Sequence, residues 1–168
     1  LILPFNYKGD VRLIKSPMNY TGGKYKLLPQ LLPLFPQDIN TFVDLFTGGG
    51  NVAININSKN IIANDSMKQI IQIYNIFKVS GIDNILNDIN DNIKKYNLNK
   101  QNQEGYLKLR EFYNKTKNPV DLFTLICYSF NHSIRFNSKE EFNIAFGKDR
   151  SEFNKTIENN LKEFVSKI

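Results

Sequence analysis

Cysteine is nearly absent from these 168 residues: Cys127 is the sole one, so no disulfide can close within the chain. Its neighbours Ile126 and Tyr128 suggest a buried thiol and a reducing compartment. No uninterrupted apolar run approaches the roughly 20 residues of a membrane span, so a cytoplasmic protein with no membrane partner is expected. The opening Leu1-Ile2-Leu3-Pro4 has no basic lead and is too short for a signal peptide, and without an initiator Met it need not be the gene's true start. Prolines stand only at 4, 17, 29, 33, 36 and 119, never side by side. The single histidine, His132, is read as a surface residue with no catalytic role, and no metal site is expected.

What is present suits a globular fold. Apolar residues make up 41%, enough for one domain with a core, or a domain plus a small insert. Twenty-two Lys and Arg against 16 Asp and Glu give +6, with a pI near 9.3. Such an excess suits a polyanion, because each phosphate contact releases condensed counterions. It also suits a plain lysine-rich surface.

No repeat shows itself along the chain. Residues 1–15 read as a loose arm with a basic stretch at Lys8, Arg12 and Lys15, followed by a turn-rich segment over 16–24. A short helix is predicted from Tyr25 to Leu34, closed by Pro36. Thr41 to Phe46 reads as a buried strand, Thr47-Gly48-Gly49-Gly50 as its turn, and Asn51 to Asn57 as a short helix. Asn60 to Asn64 is a second buried strand with Asp65 at its carboxyl end, and Ser66 to Phe77 a helix. That order implies a parallel sheet, and so an α/β fold. Residues 82–96, 104–117 and 119–131 then read as three helices with no strand between them. Phe136 to Phe146 reads as a hairpin turning at Asn137-Ser138-Lys139, and 152–166 as a last helix.

Gly48-x-Gly50-x-x-Ala53 joins a strand to a helical start, where bare glycines let a ligand approach the backbone. Asp65, 15 residues after Gly50, stands where a carboxylate can accept both hydroxyl protons of a ribose. Together they point to an adenosine-containing cofactor, against the plainer reading of a tight turn and a helix-capping Asp. Asp44 selects among such cofactors. A carboxylate beside the loop suits a sulfonium or ammonium group and repels a pyrophosphate. Thr21-Gly22-Gly23-Lys24 is no phosphate loop, because Met18 stands where the first glycine belongs and Tyr25 follows the lysine.

These residues, taken together, resemble the Dam-type DNA adenine-N6 methyltransferases of bacteria and phages, which include modification enzymes of restriction systems. The matching segments are Asn19-Tyr20-Thr21-Gly22-Gly23-Lys24, Phe46-Thr47-Gly48-Gly49-Gly50, Asn64-Asp65, the stretch Phe130 to Asn137, and Glu141 to Gly147, in the family's order over roughly 16–150. The resemblance implies a partial Rossmann-like S-adenosylmethionine-dependent methyltransferase sheet over 1–80. A helical target-recognition insert with its hairpin would occupy 81–150, and 151–168 would return towards the catalytic domain. Tyr20, Lys24, Phe46, Gly48, Gly50 and Asp65 would line the S-adenosylmethionine pocket together with Asp44. Phe130, Asn131, Arg135, Asn137, Lys139 and Lys148 would face double-stranded DNA. Arg135 has a planar fork that matches guanine, and the two lysines suit phosphate. Phe130 or Phe136 would wedge into the base stack, the other reading of both rings being core packing. Tyr20 stands where many members carry Trp, His132 replaces the hairpin glycine, and Ala145 replaces a proline.

The family's Asp/Asn-Pro-Pro-Tyr/Phe motif holds the adenine amino group and stacks on the flipped base. No Pro-Pro pair occurs in this sequence, so a chain cut before its catalytic tetrapeptide, with no catalytic residue of its own and inactive alone, is expected. Such a half-built sheet leaves an open edge that a homodimer would cover. Two other classes stay open: a non-catalytic DNA-binding module, and a dinucleotide-dependent oxidoreductase using Gly48 and Gly50.

Overall fold

The computed structural model describes residues 12–168, so Lys8 and the first part of the predicted arm lie outside the described residues. Arg12, at the start of the described chain, pairs with Glu163 near its end.

The short helix predicted from Tyr25 forms as one α-turn, α1 (Leu28–Leu31), between two 3-10 turns, Tyr25–Leu27 and Leu32–Leu34. Pro29 and Pro33 sit at the first turns of the pieces they occupy, where a missing N–H costs little. β1 (Ile39–Asp44) and β2 (Ser58–Ala63) pair in parallel, with Asp44 opposite Ala63. The first strand begins and ends two residues earlier than predicted, leaving Phe46 in the turn.

Two expectations fail here. Residues 51–55 are turns and 56–57 are irregular, so no helix forms there. Their asparagines bond elsewhere: Asn51 Oδ1 accepts the Ser16 N–H at 3.0 Å, and Asn55 exchanges hydrogen bonds with both the N–H and the carbonyl of Ile14. Side-chain amides of this kind compete with a helical ladder. The strands are also not buried. Val43, Leu45, Ile61 and Ile62 are exposed, because β1 and β2 pair only with each other among the described residues.

The core lies in the helices. α2 (Lys68–Ser80), α3 (Ile82–Tyr96), α4 (Gln103–Thr116), α5 (Pro119–Tyr128) and α6 (Lys155–Lys167) share one apolar cluster. α5 is its centre: every residue from Val120 to Tyr128 is buried, including Cys127, as the sequence suggested. Asn118 starts α5 by accepting the N–H groups of Val120 and Asp121, and Pro119 follows at its first turn. α5 ends at Tyr128, three residues short of the prediction. After Ser129, Phe130–His132 form a 3-10 turn with Asn131 and His132 at φ +54° and +50°. The predicted hairpin is present as two antiparallel bridges, Ser129 with Phe146 and Phe136 with Phe142. No helix of the described residues is long and apolar enough to cross a membrane.

Candidate functional site: a glycine loop between two carboxylates

Parallel pairing brings the carboxyl ends of β1 and β2 side by side, which sets Asp44 and Asp65 on either flank of the loop Phe46–Gly50. Each carboxylate is tied to the loop. Asp44 accepts the Ala53 N–H at 3.2 Å. Asp65 Oδ2 accepts the Gly48 N–H at 2.9 Å, while its Oδ1 accepts the Met67 N–H, also at 2.9 Å. The Met67 bond is a local turn just ahead of α2 and not a helix cap, since Met67 is itself the capping position and no side chain caps it, and Asp65 braces the loop at the same time. Each of its oxygens still has a lone pair free, and two adjacent free acceptors match a vicinal diol.

The loop needs its glycines for stated reasons. Gly48 has φ +45°, and a Cβ on it would stand 2.8 Å from the Tyr20 ring. Gly50 has φ +72°, with Phe164 and the Tyr74 hydroxyl 3.1 and 3.2 Å from a Cβ position. Both conformations are unfavourable for side chains, and both sites lack room for one.

Tyr20, Lys24, Asp44, Phe46 and Gly48 line one cavity of 390 Å³. Its volume falls in the about 300–1,000 Å³ range of small-molecule pockets. Phe46 stands 83% exposed at this cavity. Lys24 donates to the Gly22 carbonyl at 2.6 Å and so closes its own turn. Asp65 reaches the cavity through Gly48 rather than lining it. Gly50 faces a separate hollow of 320 Å³ between β2, α2 and α6. Burial pushes the Asp44 carboxyl up from the ordinary value, and the Asp65 charge adds to this against the Ala53 hydrogen bond. A cationic ligand would relieve that raised pKa. Five of the seven expected cofactor residues therefore share one wall, and the carboxylates suit a sulfonium nucleoside.

The sequence reading missed the groups that hold the loop from beneath. The Tyr74 hydroxyl donates to the Gly48 carbonyl from α2, and burial holds its pKa well above the phenol range. Phe164 of α6 packs on Tyr74 at a ring separation of 5.6 Å. Tyr74 was legible as a helix-face residue, but nothing local tied it to a loop 26 positions earlier.

The hairpin presents the expected DNA-facing residues unevenly. Phe130 is 50% exposed, whereas Phe136 is half-buried and packs edge-on to the core residue Phe142 at 5.9 Å. Arg135, Lys139 and Lys148 are exposed, as is Asn131. Arg135 is oriented by its Nε bond to Asn143 Oδ1 at 3.1 Å. Asn137 is occupied within the turn, accepting the N–H groups of Lys139 and Glu141 at 2.9 Å each. His132 takes up the left-handed backbone at the position where the related pattern has glycine. It is half-buried rather than a surface residue. Two links join the hairpin region to the rest of the molecule: Asn19 Nδ2, in the segment before Tyr20, donates to the Asn131 carbonyl at 3.0 Å, and Lys68, at the start of α2, pairs with Glu140 at 2.6 Å.

The model of the D12 class N6 adenine-specific DNA methyltransferases matches residues 20–168. The type II methyltransferase M.FokI of Planomicrobium okeanokoites is 47% identical over 155 residues, which is 92% of this chain and 24% of that protein. The modification methylase StsI of Streptococcus sanguinis is 45% identical over 157 residues, 94% of this chain and 24% of that protein. A DNA adenine methylase of Haemophilus influenzae is 29% identical over 154 residues, 89% of this chain and 52% of that protein. The chain thus spans about a quarter of the length of the first two relatives. With the family match beginning at Tyr20 and running through the loop, the helices and the hairpin, this chain belongs to the D12 class N6 adenine-specific DNA methyltransferases.

Proposed function

We propose that these residues form the cofactor-binding and DNA-recognition part of an S-adenosylmethionine-dependent DNA adenine-N6 methyltransferase. It would serve a restriction-modification system or phage and act on double-stranded DNA in the cytoplasm. One observation carries the reading: Asp44 and Asp65 flank the bare Gly48 bend at neighbouring strand ends, beneath a cavity of 390 Å³. The bound cofactor supplies the activated methyl group. Asp44 faces its positive charge, Asp65, which sits behind Gly48 at the edge of the cavity, takes the ribose hydroxyls as the ligand seats against the loop, and Tyr20 with Phe46 forms apolar wall. The pair of strands is read as the beginning of a Rossmann-like sheet over 1–80. Residues 81–150 act as the target-recognition insert, and 151–168 lead back to the catalytic domain. On the hairpin, Arg135 reads a base edge, Phe130 wedges into the stack, and Lys139 and Lys148 meet phosphate. Asn131 and Asn137 set the shape of that hairpin and lie against DNA.

Methyl transfer needs acceptors for the adenine amino hydrogens and an aromatic ring on the flipped base. No Pro-Pro pair supplies that arrangement here. The 168 residues alone are therefore proposed to bind cofactor without methylating DNA. The uncovered β1 edge is where a homodimer would form, which sedimentation velocity tests.

The decisive measurement is calorimetry with S-adenosylhomocysteine on the wild type and on Asp65→Ala. Binding by the first and at least a tenfold loss in the second is expected. Binding of a nicotinamide dinucleotide instead, or DNA binding with no nucleoside binding, would replace this reading with one of its competitors.

A further inference from the structure

A third cavity, of 480 Å³, shares Tyr20, Gly23 and Asn51 with the cofactor cavity. Its other walls are the stretch Lys15 to Asn19, the first turns of α6, and His132 from the base of the hairpin. Lys15 and Lys26 line it, and no Asp or Glu does. Among the described residues, neither ammonium has a carboxylate within ion-pair distance. Lys15 lies over the Tyr25 ring, 5.8 Å from its centroid, which holds the charge at this wall. The Nδ1 of His132 is buried with no hydrogen-bond partner, although buried polar atoms are normally paired. Two ammonium groups with no carboxylate partner among the described residues, beside an imidazole nitrogen with no hydrogen-bond partner, suit an anionic ligand.

The placement says which anion. Asn19 on the rim bonds to the Asn131 carbonyl, so the cavity is continuous with the hairpin that carries Phe130 and Arg135. A strand seated on that hairpin, with one base delivered to the methyl donor, must pass the wall that the two cavities share. We propose that this cavity holds a backbone phosphate of the DNA strand beside the extruded nucleotide. Lys15 and Lys26 neutralise it, and His132 donates a hydrogen bond to it. The inference rests on the DNA-binding half of the proposed function and not on its cofactor half.

The test is duplex DNA binding by fluorescence anisotropy across a salt series, with no cofactor present. Each phosphate contact contributes about 0.9 to the slope of log affinity against log salt. Lys15→Gln with Lys26→Gln, which removes both cations from the one phosphate, should therefore lower the slope by about 0.9, while Lys15→Arg with Lys26→Arg keeps it. His132 is the only histidine, so its imidazole resonances are unambiguous. Duplex DNA should shift them in the wild type and much less in the glutamine pair. An unchanged slope in the glutamine pair, or His132 resonances that DNA leaves in place, overturns the inference while the cofactor titration stands on its own. Saturable shifts on adding inorganic phosphate, with none on adding duplex, would overturn it in favour of a small-anion site. Unaltered S-adenosylhomocysteine affinity in the glutamine pair shows that a lost slope is not a collapsed fold.

Discussion

Gly48→Ala tests the loop most directly, because its cost separates into two measurable parts. The backbone there sits at φ +45°, and the added methyl would meet the Tyr20 Cδ1 and Cε1 atoms at 2.8 Å. Left-handed backbone costs a side chain about 1–2 kcal/mol. That part appears as lost stability, roughly 2–8 °C in Tm at about 2–4 °C per kcal/mol for a chain of this size. The second part falls on the ligand. Restoring ordinary contact pushes the Tyr20 ring out by about 0.6 Å, the gap between 2.8 Å and the ~3.4 Å lower limit of ordinary contact, into the shared cavity wall. It also disturbs the Gly48 N–H bond to the Asp65 carboxylate, a class worth about 1.5–3 kcal/mol. A combined loss of about 2 kcal/mol is roughly 30-fold in S-adenosylhomocysteine affinity. Gly81→Ala is the control: φ is +75°, nothing lies within 4 Å of the new methyl, and the site is away from the loop. It should lose about 1–3 kcal/mol of stability to backbone strain and no affinity. Calorimetry and thermal melts on both variants give the four numbers. If Gly48→Ala binds within threefold of wild type, Tyr20 and Gly48 do not form the cofactor wall, and the reasoning fails.

Phe164→Ala should destabilise by about 3–5 kcal/mol in chemical denaturation, because the ring is 2% exposed and packs on Tyr74 beneath Gly50. A loss under about 1 kcal/mol would mean that α6 does not brace the loop. Asp121 gives a pH prediction. It is buried on α5 beside Asn92, and burial raises its carboxyl pKa despite that hydrogen bond. The folded state therefore binds the proton more tightly than the unfolded state, and stability from this group rises as pH falls from the folded value towards 3.8. The Tm advantage of Asp121→Asn over wild type should accordingly shrink between neutral pH and pH ~4, whereas a constant difference would exclude the titration.

The helices were legible because each carries its own punctuation. Asn97 closes α3 in the left-handed conformation and Asn118-Pro119 opens α5, both readable from local residue types, whereas Lys117 closes α4 in the same conformation with no such signal. The helix missed at 51–57 failed for a non-local reason. Asn51 and Asn55 are occupied by Ser16 and Ile14, some 35 and 41 positions away, and no window around residue 51 contains those partners. The expected burial of the strands came from their composition, which marks Val43, Ile61 and Ile62 as core-forming residues without saying what lies against them. For the site, Asp44, Gly48 and Asp65 were readable because strand–turn–strand order alone brings them together. Tyr74 and Phe164 were not, since that contact exists only after α2 and α6 have packed.

The sheet makes few contacts beyond its own two strands, yet the loop at its end is tied in five ways to other segments. Asp65 and Tyr74 hold the two polar groups of Gly48, one on its N–H and one on its carbonyl. Asn51 and Asn55 fasten the descending turns to the residues before Tyr20, and Phe164 fills the space under Gly50. The loop is thus held by the helical core, whose buried aromatics supply the stability that two exposed strands cannot. The order of loss on gentle denaturation should follow from this. Amide exchange should be fastest in β1 and β2 and slowest along α5, with the Gly48 and Gly50 amides closer to the helices than to the strands they follow. Gly48 exchanging as fast as Val43 would mean that the loop answers to the sheet after all, and that the bracing by Tyr74 and Asp65 is too weak to hold a cofactor site in readiness.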